Sequence, residues 1–297
     1  MFNALPMLNN SISATSQAMT LLSADAQAFQ TDGYKQSRYT FSSIFNSEVQ
    51  SVGGRFGRYG GANNQTMNQG ITLIPMGYDM SQGGIKTAQP LNAAINGQGF
   101  FVMQAENSSQ HLLSRASDFI FAANGTLIDV FGRKVKGYKM VDGKPDKSQL
   151  VDIQVDPTST NLSDIGFEQN GILTSNYQSR KAAQDNGTSI DQLPEGTQHY
   201  QLALAYIPNP SQMEQRQGNT FTTTIKSGNI SFYGVSSEQN LGNVIGGSSE
   251  SSNVNPAETT IVGIQLQRGC NATQAALTMT NKFLTQIMEV AGKAEWE

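Results

Sequence analysis

The chain has 297 residues, with 14% charged side chains and a formal net charge of −4. This length is enough for one large domain, or for two to three small ones with a sizeable core. The weak, slightly acidic balance disfavours nucleic acid or an anionic membrane surface as the main partner. Amide, hydroxyl and glycine residues take the place of charge, which suits a chain whose surface is covered by other subunits, or a secreted protein.

The N-terminal segment predicts a helix from about residue 6 to about residue 30. Its side chains recur in steps of three and four, which places them on one stripe of a helix. The turn signal Thr31-Asp32-Gly33 follows, where glycine permits positive φ. The stripe contains Leu5, Leu8, Ile12, Thr15, Met19, Leu22, Ala26 and Phe29. The next segment, 34–49, is compatible with either an extended strand or a short helix. The N-terminus of the chain has no basic region, no unbroken apolar core and no small-residue cleavage site, so we expect no secretory signal.

Residues 51–70 contain six glycines and few apolar side chains, so we predict a loop or a mobile arm. Arg55 and Arg58 lie beside Phe56 and Tyr59, as in glycine- and arginine-rich segments that bind nucleic acid. Two arginines are too few to favour that interpretation.

The central part, from Ile71 to about Val235, alternates short β-prone runs with glycine, asparagine and proline. Asn124-Gly125 and Asn170-Gly171 separate such runs and predict tight hairpins. The glycine-rich segment 242–250 is interpreted as a linker that returns to the last helix. The expected fold class is α+β, with paired N- and C-terminal coiled-coil helices and an inserted, mainly antiparallel β domain. We divide the chain into a terminal helical core (1–31 and 256–297), a connector with the glycine-rich arm (32–85 and 236–255) and an outer β domain (86–235).

The C-terminal segment predicts a long helix with an unusually wide apolar face. One stripe contains Leu266, Cys270, Thr273, Leu277, Thr280, Leu284, Ile287 and Ala291. A second set, Ala272, Ala276, Met279, Phe283 and Val290, widens it, and no charge lies between Arg268 and Lys282. Two interpretations are open: a helical hairpin within one chain, or terminal helices that also pack against neighbouring copies. The width of the apolar faces favours the second. The residues we expect to carry self-assembly are Leu8, Ile12, Met19, Leu22, Leu266, Leu277, Leu284 and Ile287.

Catalytic signals are weak, so we predict no enzyme, no cofactor and no metal site. His111 and His199 have no partner at metal-ligand spacing, and we interpret His111 as a solvated loop residue. Gly97-Gln98-Gly99 begins like a dinucleotide fingerprint, but a strand-like run follows where a phosphate-binding helix should begin. Cys270 is expected to be a small packed side chain on the last helix.

Five short motifs together resemble the bacterial flagellar axial family, the basal-body rod and hook proteins. They are Thr31-Asp32-Gly33-Tyr34-Lys35, the segment 81–87, the segment 91–101, Arg115-Ala116-Ser117-Asp118-Phe119, and Ser252-Asn253-Val254-Asn255. Within them the residues that match the family are Gly33, Leu91, Gly97, Gly99, Phe100, Phe101 and Asn253. The chain departs from the family pattern at Asn92, where aspartate is usual, and at Ser117, where glycine is usual.

The resemblance implies a structural subunit that is exported unfolded through the flagellar type III apparatus, without a cleaved signal. Such subunits polymerise with themselves into a hollow helical tube that transmits torque and passes exported proteins. The implied partners are further copies, other axial proteins and, as candidates, the surrounding ring proteins, with no nucleic acid and no membrane insertion.

Chain length favours a rod protein in the periplasmic span of the basal body, because hook proteins usually carry an additional outer β domain. An extracellular hook subunit is the alternative. A secreted β-domain binding module with a private coiled coil is a more remote one, and it would remain a monomer or small closed oligomer when concentrated. An enzyme would need a cleft with converging polar groups, and the sequence identifies none.

Overall fold

The computed structural model of the chain describes residues 4–50, 65–105, 108, 110–186, 196–234 and 241–294. The chain divides into two compact units. Unit 1 contains residues 1–27, 37–76 and 255–297, and unit 2 contains residues 28–36 and 77–254. Most of the predicted arm, residues 51–64, lies outside the described residues.

The described helices are α1 (Ala4–Gln27), α2 (Tyr177–Asp185) and α3 (Pro256–Ala294). The described strands are β1 (Ser37–Gln50), β2 (Gln65–Tyr78), β3 (Ile85–Thr87), β4 (Ala93–Asn96), β5 (Phe100–Gln104), β6 (His111–Ser114), β7 (Phe119–Phe121), β8 (Leu127–Asp129), β9 (Lys134–Val141), β10 (Lys144–Pro145), β11 (Val151–Asp152), β12 (Ile165–Phe167), β13 (Ile172–Ser175), β14 (Gln198–Tyr206), β15 (Glu214–Arg216), β16 (Thr220–Thr222), β17 (Ser231–Gly234), β18 (Asn243–Gly246) and β19 (Ser248–Glu250). None of the helices in these ranges is long and apolar enough to cross a membrane.

Unit 1 contains α1, α3 and a two-stranded sheet of β1 and β2. The two helices pack against each other, and the buried residues of α1 are Ala14, Ala18, Leu22 and Asp25. A Cβ added to Gly263 of α3 would lie 3.3 Å from Leu22 Cδ2, so the two helices approach closely at this point. The terminal helices with a mainly antiparallel sheet between them were therefore predicted correctly.

Helix α3 begins with an ordinary capping arrangement. Asn255 precedes it, and its Oδ1 accepts a hydrogen bond from the Ala257 N–H at 3.1 Å. Pro256 occupies the first helical position, where a missing N–H costs nothing. The less exposed positions then recur in steps of three and four and include Leu266, Cys270, Thr273, Leu277, Thr280 and Leu284.

Two sequence interpretations need correction in and around unit 1, and one that was left open is resolved. Helix α1 ends at Gln27 and a 3₁₀ turn follows. Ala26 and Phe29 of the predicted stripe are exposed, and the buried position in the last turn of α1 is Asp25. The undecided segment 34–49 supplies strand β1, and residues 65–70, predicted as loop, belong to β2. In β2, Gly70 has φ +106°, and a Cβ there would lie 2.6 Å from Met7 O, so the strand approaches α1 too closely for a side chain.

Unit 2 is the β domain. Its largest sheet has the strand order β12-β13-β14-β9-β5-β6-β16-β15, with antiparallel neighbours along this path. Phe101, Phe119 and Phe167 form edge-to-face pairs in its core. The hairpins predicted at Asn124-Gly125 and Asn170-Gly171 are confirmed, since β7 pairs with β8 and β12 with β13.

The glycine-rich segment 242–250 is not the linker that we expected. Its residues form β18, which pairs with β4, and β19, which pairs with β3. We interpreted the glycine-rich composition as a sign of a linker, but the backbone of this segment is paired in strands. Gly242 and Gly246 are needed there because neighbouring backbone leaves no space for a side chain. A Cβ on Gly246, for example, would overlap the backbone of Phe167.

Candidate functional site

A buried ion cluster lies inside unit 2 and joins residues that are far apart in the sequence. Glu250, at the end of β19, is 1% exposed, and Lys35 and Arg115 are 1% and 4% exposed. Lys35 Nζ lies 2.6 Å from Glu250 Oε1, and Arg115 Nη1 lies 3.0 Å from Glu250 Oε2. One carboxylate therefore stands between two cations.

Backbone groups bind several further donors and acceptors of the cluster, although Arg115 Nε has no hydrogen-bond partner among the described residues. Lys35 Nζ donates to Ser81 O at 2.8 Å, and Arg115 Nη2 donates to Gly97 O at 2.6 Å. The Gly83 N–H donates to Glu250 Oε1 at 2.9 Å. Burial lowers the pKa of both Lys35 and Arg115, and the Glu250 carboxylate opposes that effect by stabilising their charged forms. The Glu250 carboxylate therefore offsets the desolvation cost of burying the charged forms of Lys35 and Arg115.

Gly33 is required by the backbone beside this cluster. Its N–H donates to the main-chain oxygen of Glu250 at 2.7 Å. Its φ is +68°, and a Cβ at this position would lie 2.3 Å from the backbone nitrogen of Ala116. Any side chain would push apart the two segments that carry Lys35 and Arg115.

Asn253 closes the cluster on the side where the chain leaves unit 2. Its Oδ1 accepts from the Gln36 N–H at 2.8 Å, and its Nδ2 donates to Asp79 O at 2.8 Å and to Ser81 O at 3.2 Å. Its own N–H donates to Tyr34 O at 3.4 Å. The chain passes between the two units after residues 36, 76 and 254. The Asn253 side chain therefore links the three segments of unit 2 that lie next to these crossings.

The other family-motif residues lie next to this cluster or in the core. Gly97 and Gly99 have φ of +118° and +123° and lead into β5, as predicted. Phe100 is buried, and the Arg115 guanidinium carbon lies 5.3 Å from its ring centroid. Phe101 is buried in the core cluster of the main sheet, with Leu91 packed against it.

Sequence reasoning missed Glu250 and did not connect it with Lys35 and Arg115. A signal was present, because Glu250 is the only charged residue between Glu238 and Glu258. A lone charge in such a polar, uncharged run indicates a specific partner.

The predicted self-assembly residues lie on both helices of unit 1 with different exposures. Leu22 is buried, whereas Leu8, Ile12, Met19, Leu266, Leu277 and Leu284 are half-buried and Ile287 is exposed. The more exposed apolar side chains of α3 are on its second half: Met279, Phe283, Met288 and Val290 have between 53% and 73% of their surface accessible. The structure therefore leaves a wide apolar face on this part of α3 uncovered.

The histidines lie in strands. His111, expected in a solvated loop, is the first residue of β6, half-buried with its ring 4.9 Å from that of Phe232, so that interpretation is wrong. Burial, and then the charge of Lys136, lower its pKa, and burial lowers that of His199 in β14. Among the described residues no three histidine, cysteine or acidic side chains are grouped to hold a metal.

Comparison with known families matches residues 94–175 to the family model described as the flagellar hook protein FlgE/F/G D1 domain. The flagellar basal-body rod protein FlgG of Agrobacterium fabrum is 25% identical over 291 residues, which is 97% of this chain and 96% of that protein. The flagellar hook proteins FlgE of Helicobacter mustelae and Brucella abortus are 29% and 33% identical, over 38% and 36% of this chain. The chain spans only about a quarter of the length of these hook proteins, 25% and 24%.

The five motif segments, scattered over more than 200 positions of sequence, meet at one buried cluster in the unit that contains the family match. The family model and the rod and hook relatives support the resemblance of this chain to the bacterial flagellar axial family.

Proposed function

We propose that this chain is a structural subunit of the flagellar rod, which polymerises into a hollow helical tube that transmits torque and passes exported proteins. The observation that carries the choice of rod is the alignment with a rod protein over 97% of this chain and 96% of the relative. A hook subunit is the second candidate, because a hook protein reaches 33% identity over 36% of this chain.

The exposed face of α3 supports polymerisation. Helix α3 has 39 residues and α1 has 24, so their lengths are about 58 Å and 36 Å at the usual rise per residue. One α1 therefore cannot cover α3 along its whole length, and the exposed side chains of Met279, Phe283 and Val290 need a partner outside the chain. We propose that α1 and α3 pair as a coiled coil and that this remaining face packs against neighbouring copies.

The division into functional parts belongs to the same proposal. The terminal helices (1–31 and 256–297) form the wall of the tube. Residues 32–85 and 236–255 connect this wall to the β domain, and residues 86–235 form that domain on the outside of the tube. The role is structural rather than catalytic. The partners are further copies of the chain, other axial proteins and the rings around them, in the periplasmic part of the basal body.

The test is electron microscopy of the purified, concentrated protein, in which we expect tubes of constant width. Phe283→Asp places a charge on the exposed face without entering the seam with α1, so tubes should be lost while the circular dichroism spectrum is retained. Asn281→Asp is the matched control, because it adds the same charge to an exposed position of α3. Tubes formed equally well by both variants would contradict the proposal.

Rod and hook are distinguished by basal bodies isolated from cells that lack this chain. A rod subunit leaves basal bodies without a complete rod. A complete rod without a hook would replace the first candidate by the second.

A further inference from the structure

Among the described residues of unit 2, the most exposed large apolar side chain is that of Ile225. Ile225 is fully exposed, at 103% of its reference surface, on the turn 224–227. The turn is fixed: the Thr224 N–H donates to Ser227 Oγ at 2.8 Å, and Ser227 Oγ donates to Thr224 O at 2.9 Å. Thr224 Oγ1 donates to Gln212 O at 2.7 Å, and the Asn209 N–H donates to Ser227 O at 3.1 Å. A turn whose backbone is already fixed has little conformational freedom left to lose on binding.

The same unit contains a cleft that could receive such a side chain. Its volume is about 350 Å³, which lies within the usual range for a pocket that buries a ligand. Val130 and Phe131 at its edge are 62% and 53% exposed, which is unusual for two adjacent large apolar residues. The lining combines apolar side chains, among them Met103, Val130 and Phe131, with the carboxylates of Asp32 and Asp118. Arg133 also lines the cleft, and its charge is paired with that of Asp129.

The charges of the cleft and of the turn are complementary. Asp32 pairs with Lys86 at 2.6 Å, whereas Asp118 accepts a hydrogen bond from the neutral Asn92 and, among the described residues, forms no ion pair. Desolvation in the cleft, and then the charge of Asp32, raise the pKa of Asp118, which a neighbouring cation would reverse. Lys226 follows Ile225 directly and is exposed, and within the described part of the chain it too forms no ion pair.

We propose that the Ile225–Lys226 turn of one copy docks in the Val130–Phe131 cleft of a second copy, with Lys226 next to Asp118. This inference rests on the proposed function, since it names one contact by which subunits join. Because turn and cleft are different surfaces of the same unit, we take the contact to be head-to-tail. Such a contact continues from copy to copy as an open helix when its rotation does not close a ring. That is the geometry that a helical polymer requires.

The experiment is oxidative cross-linking of the full chain. In a Cys270→Ser background, which removes the single native cysteine, Ile225→Cys and Val130→Cys are introduced together and alone. Disulfides need Cα atoms within about 7 Å, so only a direct contact cross-links efficiently. The matched control combines Ile225→Cys with Val141→Cys, because Val141 is also an exposed valine, at 50%, but lies outside the cleft.

We expect the double variant to give a ladder of dimers, trimers and higher multimers, and an equimolar mixture of the two single variants to give dimers only. Lys226→Glu should reduce ladder formation roughly tenfold, as expected for loss of a steering charge pair, and Asp118→Lys in the same chain should restore it. Lys144→Glu, at another exposed lysine, should leave it unchanged.

The ladder is measured both in concentrated solution and in assemblies that are examined by electron microscopy. A ladder no stronger than that of the Val141 control, or dimers from Ile225→Cys alone, would overturn the docking contact. Tubes without a ladder refute the contact and leave the proposed function intact. A ladder without tubes supports the contact and counts against the tube.

Discussion

Replacing Glu250 by glutamine tests whether the buried cluster stabilises unit 2. Glutamine has nearly the same shape and keeps one oxygen for the Gly83 N–H, but it removes the negative charge between Lys35 and Arg115. Both cations would then be buried with backbone oxygens as their remaining partners. Neither can reach water without opening the fold, because their side chains are 1% and 5% exposed.

The expected loss is about 3–5 kcal/mol, the usual cost of removing one partner from a buried ion pair. Glu214→Gln is the matched control, because Glu214 pairs with Arg216 at 3.1 Å but their side chains are 55% and 52% exposed. An exposed pair contributes about 1 kcal/mol or less. Because domains of this kind are stable by about 5–15 kcal/mol, the two variants should differ visibly.

The assay is urea unfolding followed by circular dichroism in the β region, with the midpoint and slope compared among variants. Lys35→Met in the Glu250→Gln background should recover part of the lost free energy of unfolding, since it removes one of the two buried cations that have no carboxylate partner. A double-mutant cycle measures this coupling. If Glu250→Gln unfolds at the same urea concentration as Glu214→Gln, the cluster does not stabilise the unit and our reasoning is wrong.

Two further predictions concern Gly33 and His111. Gly33→Ala should destabilise unit 2 by more than the ~1–2 kcal/mol of a left-handed alanine, because its Cβ would also meet Ala116. Gly143→Ala is the control, since Gly143 has φ +74° with open space around it, and equal urea midpoints for the two variants would contradict the steric argument. The pKa of His111 in the folded chain lies below its value in the unfolded chain, which is about 6.5. The stability contributed by neutral His111 is therefore complete above the unfolded pKa, and it is lost as the pH falls from there through the folded pKa. His111→Phe should therefore show a smaller drop in urea midpoint between pH 7.5 and 5.5 than the unaltered chain, and an identical drop would refute the assignment.

Local patterns predicted the helices and hairpins because those features depend on neighbours in the sequence. The spacing from Leu266 to Leu284 predicted the half-buried stripe of α3, and Asn124-Gly125 predicted the turn between β7 and β8. In α1 the pattern was less informative. The smallest side chains, Ala14 and Ala18, are buried, and the larger ones flank them, because close helix approach selects small residues rather than the most hydrophobic ones.

The ion cluster could not be predicted in the same way, because its geometry depends on strand pairing over long distances. Lys35 and Glu250 are 215 positions apart, and Arg115 and Glu250 are 135 apart. Only the pairing of β19 with β3 and of β18 with β4 brings Glu250 to its partners. The glycine-rich segment 242–250 does not alternate apolar and polar residues. A search for the period-two alternation of a strand therefore does not identify it as a strand.

The residues that carry the resemblance to the family and the surfaces proposed for assembly are therefore different sets. Gly33, Lys35, Arg115 and the Phe100-Phe101 pair are buried and hold unit 2 together. Such residues are expected to be shared by any axial protein with this domain, whether rod or hook, because they make contacts inside one subunit. What separates one member from another should lie on exposed surfaces, and the uncovered face of α3 and the Ile225 turn are two such surfaces. Substitutions in the cluster should accordingly change subunit stability, and substitutions on those two surfaces should change assembly in a folded subunit.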